Sequence, residues 1–500
     1  MQGSRFSPHF SPYLAPALRG IASLCVLAFT LSGCAQFSEI GPRAEPKEIA
    51  AYQASEQLAG NAIAWPDDKW WSVYGDKQLD ALIGEGLQGA PSLAAAQARL
   101  LKAEGSAQQQ GAALLPQVAA NASVNYLKQS YNNGVPAEFV PQGYNSEGSA
   151  TLNFSYEIDF WGKNRAALAA ATSELEAARA DAAQARITLS TSIAAAYAEF
   201  ERLLSQRDTA EAALQVRRET YDLFEQRRIN GLETQGSVKQ VLARRAMAEA
   251  DLLSVTESIN LQRNKLATLV GAGPDRGLRL LRPEIDMSHP FGMPQQLPVN
   301  LLGRRPDVVA SRLRVEAAAK QIKVAKAQFY PNVNLTAYLG LQALGLGMLS
   351  KAGSDVGSIS PAISLPIFEG GRLRGQYRSA SGSYDEAVAN YDSAVTQALQ
   401  DVADVAVSEK ALNGRLDKTQ EAVAASEDAY RIARNRYEGG LATYLDVLNA
   451  QDTLLTNQRE LSTLRSRLFA LDVALVRALG GGYQHDQHNQ RDGRNARVAG

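Results

Sequence analysis

Five hundred residues, 45% hydrophobic and 21% charged, are ample for a folded core, and length alone suggests two or three ordinary domains. A formal net charge of −1 gives no electrostatic case for nucleic acid or another acidic polymer as partner. Past the N-terminal apolar stretch there is no run of about 18 apolar residues, so no transmembrane helix is expected.

The chain opens as a secretory signal, with Arg5 and Arg19, an apolar stretch from Ile21 to Leu31, and then Leu31-Ser32-Gly33-Cys34. Leu-Ser-Gly before a cysteine resembles the bacterial lipobox, in which Cys34 becomes the lipid-modified first residue of the mature chain. Ala35 follows rather than aspartate, which in such signals favours the outer membrane. The alternative is an ordinary signal with an incidental cysteine. Cys25 leaves with the signal, so one cysteine remains and no internal disulfide can form. An outer-membrane address without a spanning helix leaves a lipid anchor or β-strands.

The remainder is written twice. Gly231-Leu232-Glu233-Thr234 matches Gly440-Leu441-Ala442-Thr443, and the same shift carries Leu266 to Leu475, Gly271 to Gly480, Gly162 to Gly371 and Arg165 to Arg374. Upstream, Pro91 maps to Pro306 and Pro116 to Pro331 with a slightly longer shift, so the first copy has the longer loop between Pro116 and Ile158. The expected organisation is a signal at 1–33 and an N-terminal segment with a first equatorial helix at 34–90. Repeat one follows at 91–273, a linker at 274–305, repeat two at 306–482 and a flexible tail at 483–500.

Each repeat predicts helix, strand, loop, strand, very long helix, turn, long helix. The first helix runs from about Ser92 and ends before Pro116. Ala120, Val124 and Tyr126 then alternate with Asn121, Ser123 and Asn125. Leu152, Phe154, Tyr156 and Ile158 alternate with Asn153, Ser155, Glu157 and Asp159. In the second copy Val333, Leu335 and Leu339 alternate with Asn334 and Thr336, and Ile363 and Leu365 with Ser360 and Ser364. Period two fits half-buried strands, and equally a membrane barrel with lipid outside and water inside. Four strands cannot close around water, and an open edge in lipid strands its backbone groups, so several chains must pool their strands. Three chains, giving twelve strands, make the smallest ring that leaves a pore.

From Lys163 to about Ile229 no proline intervenes, which allows one helix of roughly 100 Å at 1.5 Å per residue. Leu168, Ala171, Leu175, Ala178, Ala182, Ala185, Leu189, Ser192, Ala196, Phe200 and Leu203 form a heptad seam. Val447, Ala450, Leu454, Asn457, Leu461, Leu464, Leu468, Leu471 and Leu475 form another. On the helices alone, an ordinary coiled coil without a lumen is the simpler reading.

The constellation resembles the TolC-like outer-membrane efflux channels, in particular the lipid-anchored branch of the OprM and NodT type. The resemblance rests on Trp70-Trp71 with Leu79-Asp80-Ala81-Leu82-Ile83, and on Pro91-Ser92-Leu93-Ala94-Ala95-Ala96 with Arg99-Leu100. It rests also on Asp159-Phe160-Trp161-Gly162-Lys163 and its repeat Leu365-Pro366-Ile367-Phe368-Glu369-Gly370-Gly371-Arg372. Arg304-Arg305-Pro306-Asp307-Val308, Tyr437 through Asn449, and Leu479-Gly480-Gly481-Gly482 complete it. It implies an α+β, mostly α, internally duplicated fold. A homotrimer would build a twelve-stranded outer-membrane β-barrel continued by a periplasmic α-helical barrel. It further implies a passive exit duct for small molecules such as drugs or toxic compounds, without enzymatic activity or cofactor. A periplasmic adaptor and an inner-membrane pump of the RND type would feed it.

Carried over residue by residue, the resemblance places the narrowest ring of the periplasmic gate near Leu445, Asp446 and Asn449, with Tyr437 among the contacts that hold it shut. Three copies of Asp446 would form an anionic collar whose mutual repulsion raises their pKa values and which favours cations. Thr443-Tyr444-Leu445-Asp446 also has the form of a helix capping box, so cap and gate both stand for Asp446. Asn449 replaces a second aspartate of many relatives, and Ala442 an arginine tether of some.

His485 and His488 have a metal-ligand spacing, but the segment from Gly480 to Gly500 reads as a polar tail, and no metal site is expected. No phosphate loop and no Ser/His/Asp or Cys/His arrangement occurs. Arg304-Arg305-Pro306-Asp307 reads as a helix start. A protein-secretion channel uses the same fold, and a structural coiled-coil lipoprotein would explain the helices but not the paired amphipathic strands.

Overall fold

The computed structural model describes residues 43–52, 62–132, 134–287, 292–294 and 297–485; the signal segment, Cys34 and His488 lie outside the described residues. The chain divides into two compact units. One comprises the described residues of Met1–Glu45, Gly105–Ser173 and Val315–Ala387, the other those of Pro46–Glu104, Glu174–Arg314 and Val388–Gly500. Among the described residues no helix is long and apolar enough to cross a membrane.

The first unit is built on a four-stranded antiparallel sheet of β1 (Gln117–Leu127), β2 (Asn145–Ile158), β3 (Asn332–Leu344) and β4 (Asp355–Ser364), paired in chain order. Val118 faces Phe154, Leu152 faces Leu339 and Ala337 faces Ile359 across the ladder, which puts the apolar residues on one face. Asn121 opposite Thr151, Ser155 opposite Thr336 and Thr336 opposite Ser360 make the other face polar. Within the described residues β1 and β4 have a partner on one side only. The alternation predicted for all four strands is present, except that β2 ends at Ile158 and leaves Asp159 outside. Strand β4 starts at Asp355, five residues ahead of Ser360, because its Val-Gly-Ser half carries too few apolar residues to show a period; it ends at Ser364, leaving Leu365 outside. Pro361 stands opposite Leu335 and can supply no backbone N–H to a ladder. At the foot of the sheet the Trp161 indole N–H donates to the Pro331 carbonyl at 2.7 Å and its ring stacks on Tyr330, tying a corner of repeat one to repeat two.

Besides the single turn Asp275–Leu278, the α-helices among the described residues are α1 (Lys77–Gly89), α2 (Pro91–Ala112), α3 (Lys163–Ile229), α4 (Gln235–Leu269), α5 (Leu297–Arg304), α6 (Pro306–Ala327), α7 (Arg372–Glu438) and α8 (Tyr444–Ala478). In the second unit, Trp70, Tyr74, Leu79, Leu82 and Ile83 pack on Ile193, Tyr197 and Phe200 of α3 and on Phe469 and Val473 of α8. Buried Asp76 ties this core together: its carboxylate accepts from the Gln78 and Leu79 N–H groups, the Glu284 N–H and the Tyr197 hydroxyl.

The predicted seam on α3 is right for its later part, where Leu189, Ala196, Phe200 and Leu203 are buried, and displaced for its earlier part. Ala177 and Ala180, packed on Val309, Ala310 and Leu313 of α6, are buried there, whereas Leu175, Ala178 and Ala182 are only partly covered. One residue is about 100° around the helix, more than the roughly 40° that a seven-residue stripe drifts in two heptads, so the shift follows the packing partner α6 rather than the repeat. No predicted seam residue of α8 is exposed.

The duplication extends to close backbone contacts. Gly271 closes α4 with φ 77°, and a Cβ there would lie 2.5 Å from the Gly89 carbonyl oxygen, just ahead of α2. Gly480 closes α8 with φ 87°, and its Cβ would strike the Arg304 carbonyl oxygen, just ahead of α6. The Arg-Arg-Pro-Asp motif works at this junction. Arg305 is buried, donates to Asp307, Asp401 and the Ala478 carbonyl, and keeps its charge: burial alone would lower its pKa, but the two carboxylates outweigh it and hold it above the ordinary value. Arg304 lies over the Trp65 ring.

Gly480→Ala is expected to destabilise the fold by at least about 1–3 kcal/mol, from the left-handed backbone and the collision together. A thermal melt of the purified variant reads this, and an unchanged melting temperature would contradict the close approach.

Candidate functional site at the helix-pair tips

Two helix-turn-helix tips come from the two repeats and are closed by the same device. In the first, the Gly231 N–H donates to Arg228 and the Leu232 N–H to Arg227; in the second, Gly440 donates to Tyr437 and Leu441 to Arg436. Both glycines have positive φ, so each long helix ends in a left-handed cap. The next helix starts on a threonine in each repeat. Thr234 accepts the Ser237 N–H on its hydroxyl, whereas in repeat two the Thr443 N–H and hydroxyl both donate to Asp446 Oδ2, at 2.9 and 2.8 Å. Asp446 is therefore a helix-capping residue. Its carboxyl is held below the ordinary aspartate value by the Thr443 hydroxyl first and the Thr443 N–H second.

Leu445, Asp446 and Asn449 share one exposed face at the start of α8, while Val447, Leu448 and Gln451 point into the protein. The three expected ring residues thus stand together on an exposed face of the protomer. Ala442 and Asp446 line a cleft of about 770 Å³ with Ile432, Arg436 and Leu441.

Tyr437 is not part of that face. Its ring lies parallel to Phe224 (centroids 6.4 Å apart, planes at 8°), 5.5 Å from Tyr444 and beneath the Arg227 guanidinium. Its hydroxyl reaches Glu233 Oε1 at 3.5 Å, the outer limit of a hydrogen bond. Burial pushes its pKa up. The ring, more than the hydroxyl, holds the second tip against the first, with Phe224, Val238 and Val241 forming the small core beneath.

A polar tie that sequence reading does not reveal lies one to two turns further along α8. Arg217 of α3 is buried and donates to Gln451 and Asp452, and Arg244 of α4 donates to the other Asp452 oxygen at 2.8 Å. Asp452 so joins three helices from both repeats. No local pattern announces it, because its partners lie more than two hundred positions upstream. Near the C-terminal end of the described chain, His485 Nδ1 lies 3.3 Å from the Tyr483 hydroxyl. Among the described residues, no group of three or more His, Cys, Asp or Glu side chains is placed to hold a metal ion.

The chain matches the sequence model of the family described as outer membrane efflux protein over residues 82–272 and again over 297–481. It is 35% identical to the fusaric acid resistance protein FusA of Burkholderia cepacia over 73% of this chain and 70% of that protein. It is 30% identical to the multidrug resistance outer membrane protein MdtP of Escherichia coli over 91% of this chain and 94% of that one. Among solved structures, the outer membrane protein VceC of Vibrio cholerae is 52% identical, with a TM-score of 0.79 over 84% of this chain and all of that one.

Arg217→Met should cost about 1–3 kcal/mol, the penalty for leaving the buried Gln451 amide oxygen without its partner, while exposed Asp452 keeps Arg244; equal denaturant midpoints for variant and wild type would show the tie to be idle. The depressed Asp446 pKa means that its charge, and the stability the cap contributes, persist above the ordinary aspartate value and are lost only as pH falls through the lower folded value. No Asp446-dependent change in melting temperature is therefore expected between pH 7 and pH 5. A transition in that window that vanishes in Asp446→Asn would mean that repulsion between copies overrides the cap.

Proposed function

The chain belongs to the outer membrane efflux protein family, and from that premise we propose that it acts as a homotrimeric, lipid-anchored exit duct for small molecules. In this reading a periplasmic adaptor and an inner-membrane pump of the RND type deliver the cargo. The chain itself is an outer-membrane efflux channel with the TolC-like fold, reaching into the periplasm. The observation that carries the trimer is the sheet: four strands, one apolar and one polar face, and two edges with unpaired backbone groups. Lipid does not tolerate such edges, and strand β4 of one copy laid antiparallel on β1 of the next closes them. Three copies give twelve strands with the apolar face outward and a water-filled lumen. Cys34, outside the described residues, would carry the lipid.

The helix-pair tips supply the gate in this reading, with Leu445, Asp446 and Asn449 facing the axis and Tyr437 locking the second tip to the first. Ile229, Leu232 and Leu441 are exposed at the two tips, as apolar residues meant for a protein partner would be, and suit the adaptor. Multidrug resistance for MdtP and fusaric acid resistance for FusA, as their names state, favour small organic cargo.

Single-channel currents in a planar bilayer test this. Wild type should give small or rare steps, and Asp446→Ala with Tyr437→Ala larger ones. Asp446→Ala with Tyr437→Phe should open less, because phenylalanine keeps the ring contacts. Unchanged current in all variants of a properly inserted protein would remove the gate from these residues.

A further inference from the structure

The four strands carry four aromatic residues. Tyr126, Phe154 and Tyr156 lie on the apolar face, in register with Ser146, Ala337 and Leu335 respectively. An aromatic residue on a lipid-facing surface needs no further explanation. Tyr338 lies on the other face. It stands opposite Asn153 on one side and Ser358 on the other, with Thr336 and Gly340 two residues away along its own strand. Around it that face is small: Ser149, Thr151, Ser155 and Ser360 reach far less than a phenol, and Gly340 has no side chain. The Asn153 amide is turned along its own strand to the Thr151 hydroxyl at 3.0 Å. Tyr338 is left 42% exposed.

Charge is missing from the same stretch. The charged strand residues are Glu147, Glu157 and Asp355, all within three residues of a strand end. Glu147 accepts from Gln342 at 2.7 Å and Glu157 pairs with Lys163 at 2.6 Å. An uncharged wall of hydroxyls and amides offers passing solutes little to bind, and one phenol ring per copy is the exception.

We propose that Tyr338, brought to one level in three copies by the symmetry of the trimer, forms a stacking station inside the barrel for planar aromatic cargo, most strongly for aromatic cations. The inference rests on the trimeric duct described above. A ring face attracts a cation through its quadrupole and stacks with any planar π-system, and the stretch between Glu147 and Glu157 holds no other fixed charge to compete for or repel such a solute.

The test is block of single-channel current by ethidium, a planar aromatic cation, added to the barrel side of a bilayer. Wild type, Tyr338→Phe and Tyr338→Ala are compared, each in the background that opens the helix-pair tips. Transient interruptions are expected in wild type and in Tyr338→Phe. In Tyr338→Ala the half-blocking concentration should rise about tenfold or more, in line with the loss of one aromatic stacking partner. Equal block in wild type and alanine variant would overturn the station while leaving the duct intact, and equal loss in phenylalanine and alanine would assign the effect to the hydroxyl and overturn stacking. No steps in any of the three, with insertion confirmed, would remove the duct itself and the station with it.

Discussion

Backbone groups that find no partner among the described residues, at the two edges of one small sheet, are the constraint on which the rest of this protein depends. An apolar face on a strand is only worth building where lipid or a core covers it, and lipid refuses an open edge. Four strands with such a face and two free edges therefore specify a partner copy more firmly than any side-chain contact does. That requirement explains why half the β-structure comes from each repeat: duplication is the simplest way for one chain to supply two hairpins of matching register. Trp161, reaching from repeat one to the Pro331 carbonyl of repeat two, fixes the hairpins relative to each other at the end where the chain turns into helix.

Duplication also provides a pair of equivalent helical tips, and function as proposed here lives in the places where the copies diverge. Both tips end on a left-handed glycine and restart on a threonine. Repeat one uses Ser237 at the position where repeat two has Asp446. At that position the first tip is neutral, its carboxylate being Glu233 where repeat two has Ala442, and the second carries an exposed anion that its own cap keeps charged. Tyr437 and the Asp452 cluster hold the two tips together by different means, one by ring packing and one by charge. A conformational change that separates the tips has to undo both.

Most of the architecture is legible in the sequence because it is periodic or punctuated. The long helix of the first repeat runs from Lys163 to Ile229, as expected from its freedom from proline. Pro306 does sit in the first turn of its helix, and Thr443 with Asp446 does form the predicted cap. Only the second half of strand β4 is legible, since Val356-Gly357-Ser358 has little apolar period to detect. The early seam of α3 is displaced to Ala177 and Ala180 because they pack on α6, a partner more than a hundred residues away that no local pattern announces. Arg217, Arg244 and Asp452 are invisible, as is Asp76, because long-range polar ties leave no local pattern. At Tyr437 the residue type draws the eye to a hydroxyl, whereas the structure gives the ring the larger role.

The central claim is that three copies close the sheet, and the mass of the intact assembly tests it most directly. Native mass spectrometry of the mature protein, released gently from detergent micelles, should give one species of three chains. A monomer or a dimer as the sole stable species would leave strand edges open in the membrane and contradict the account.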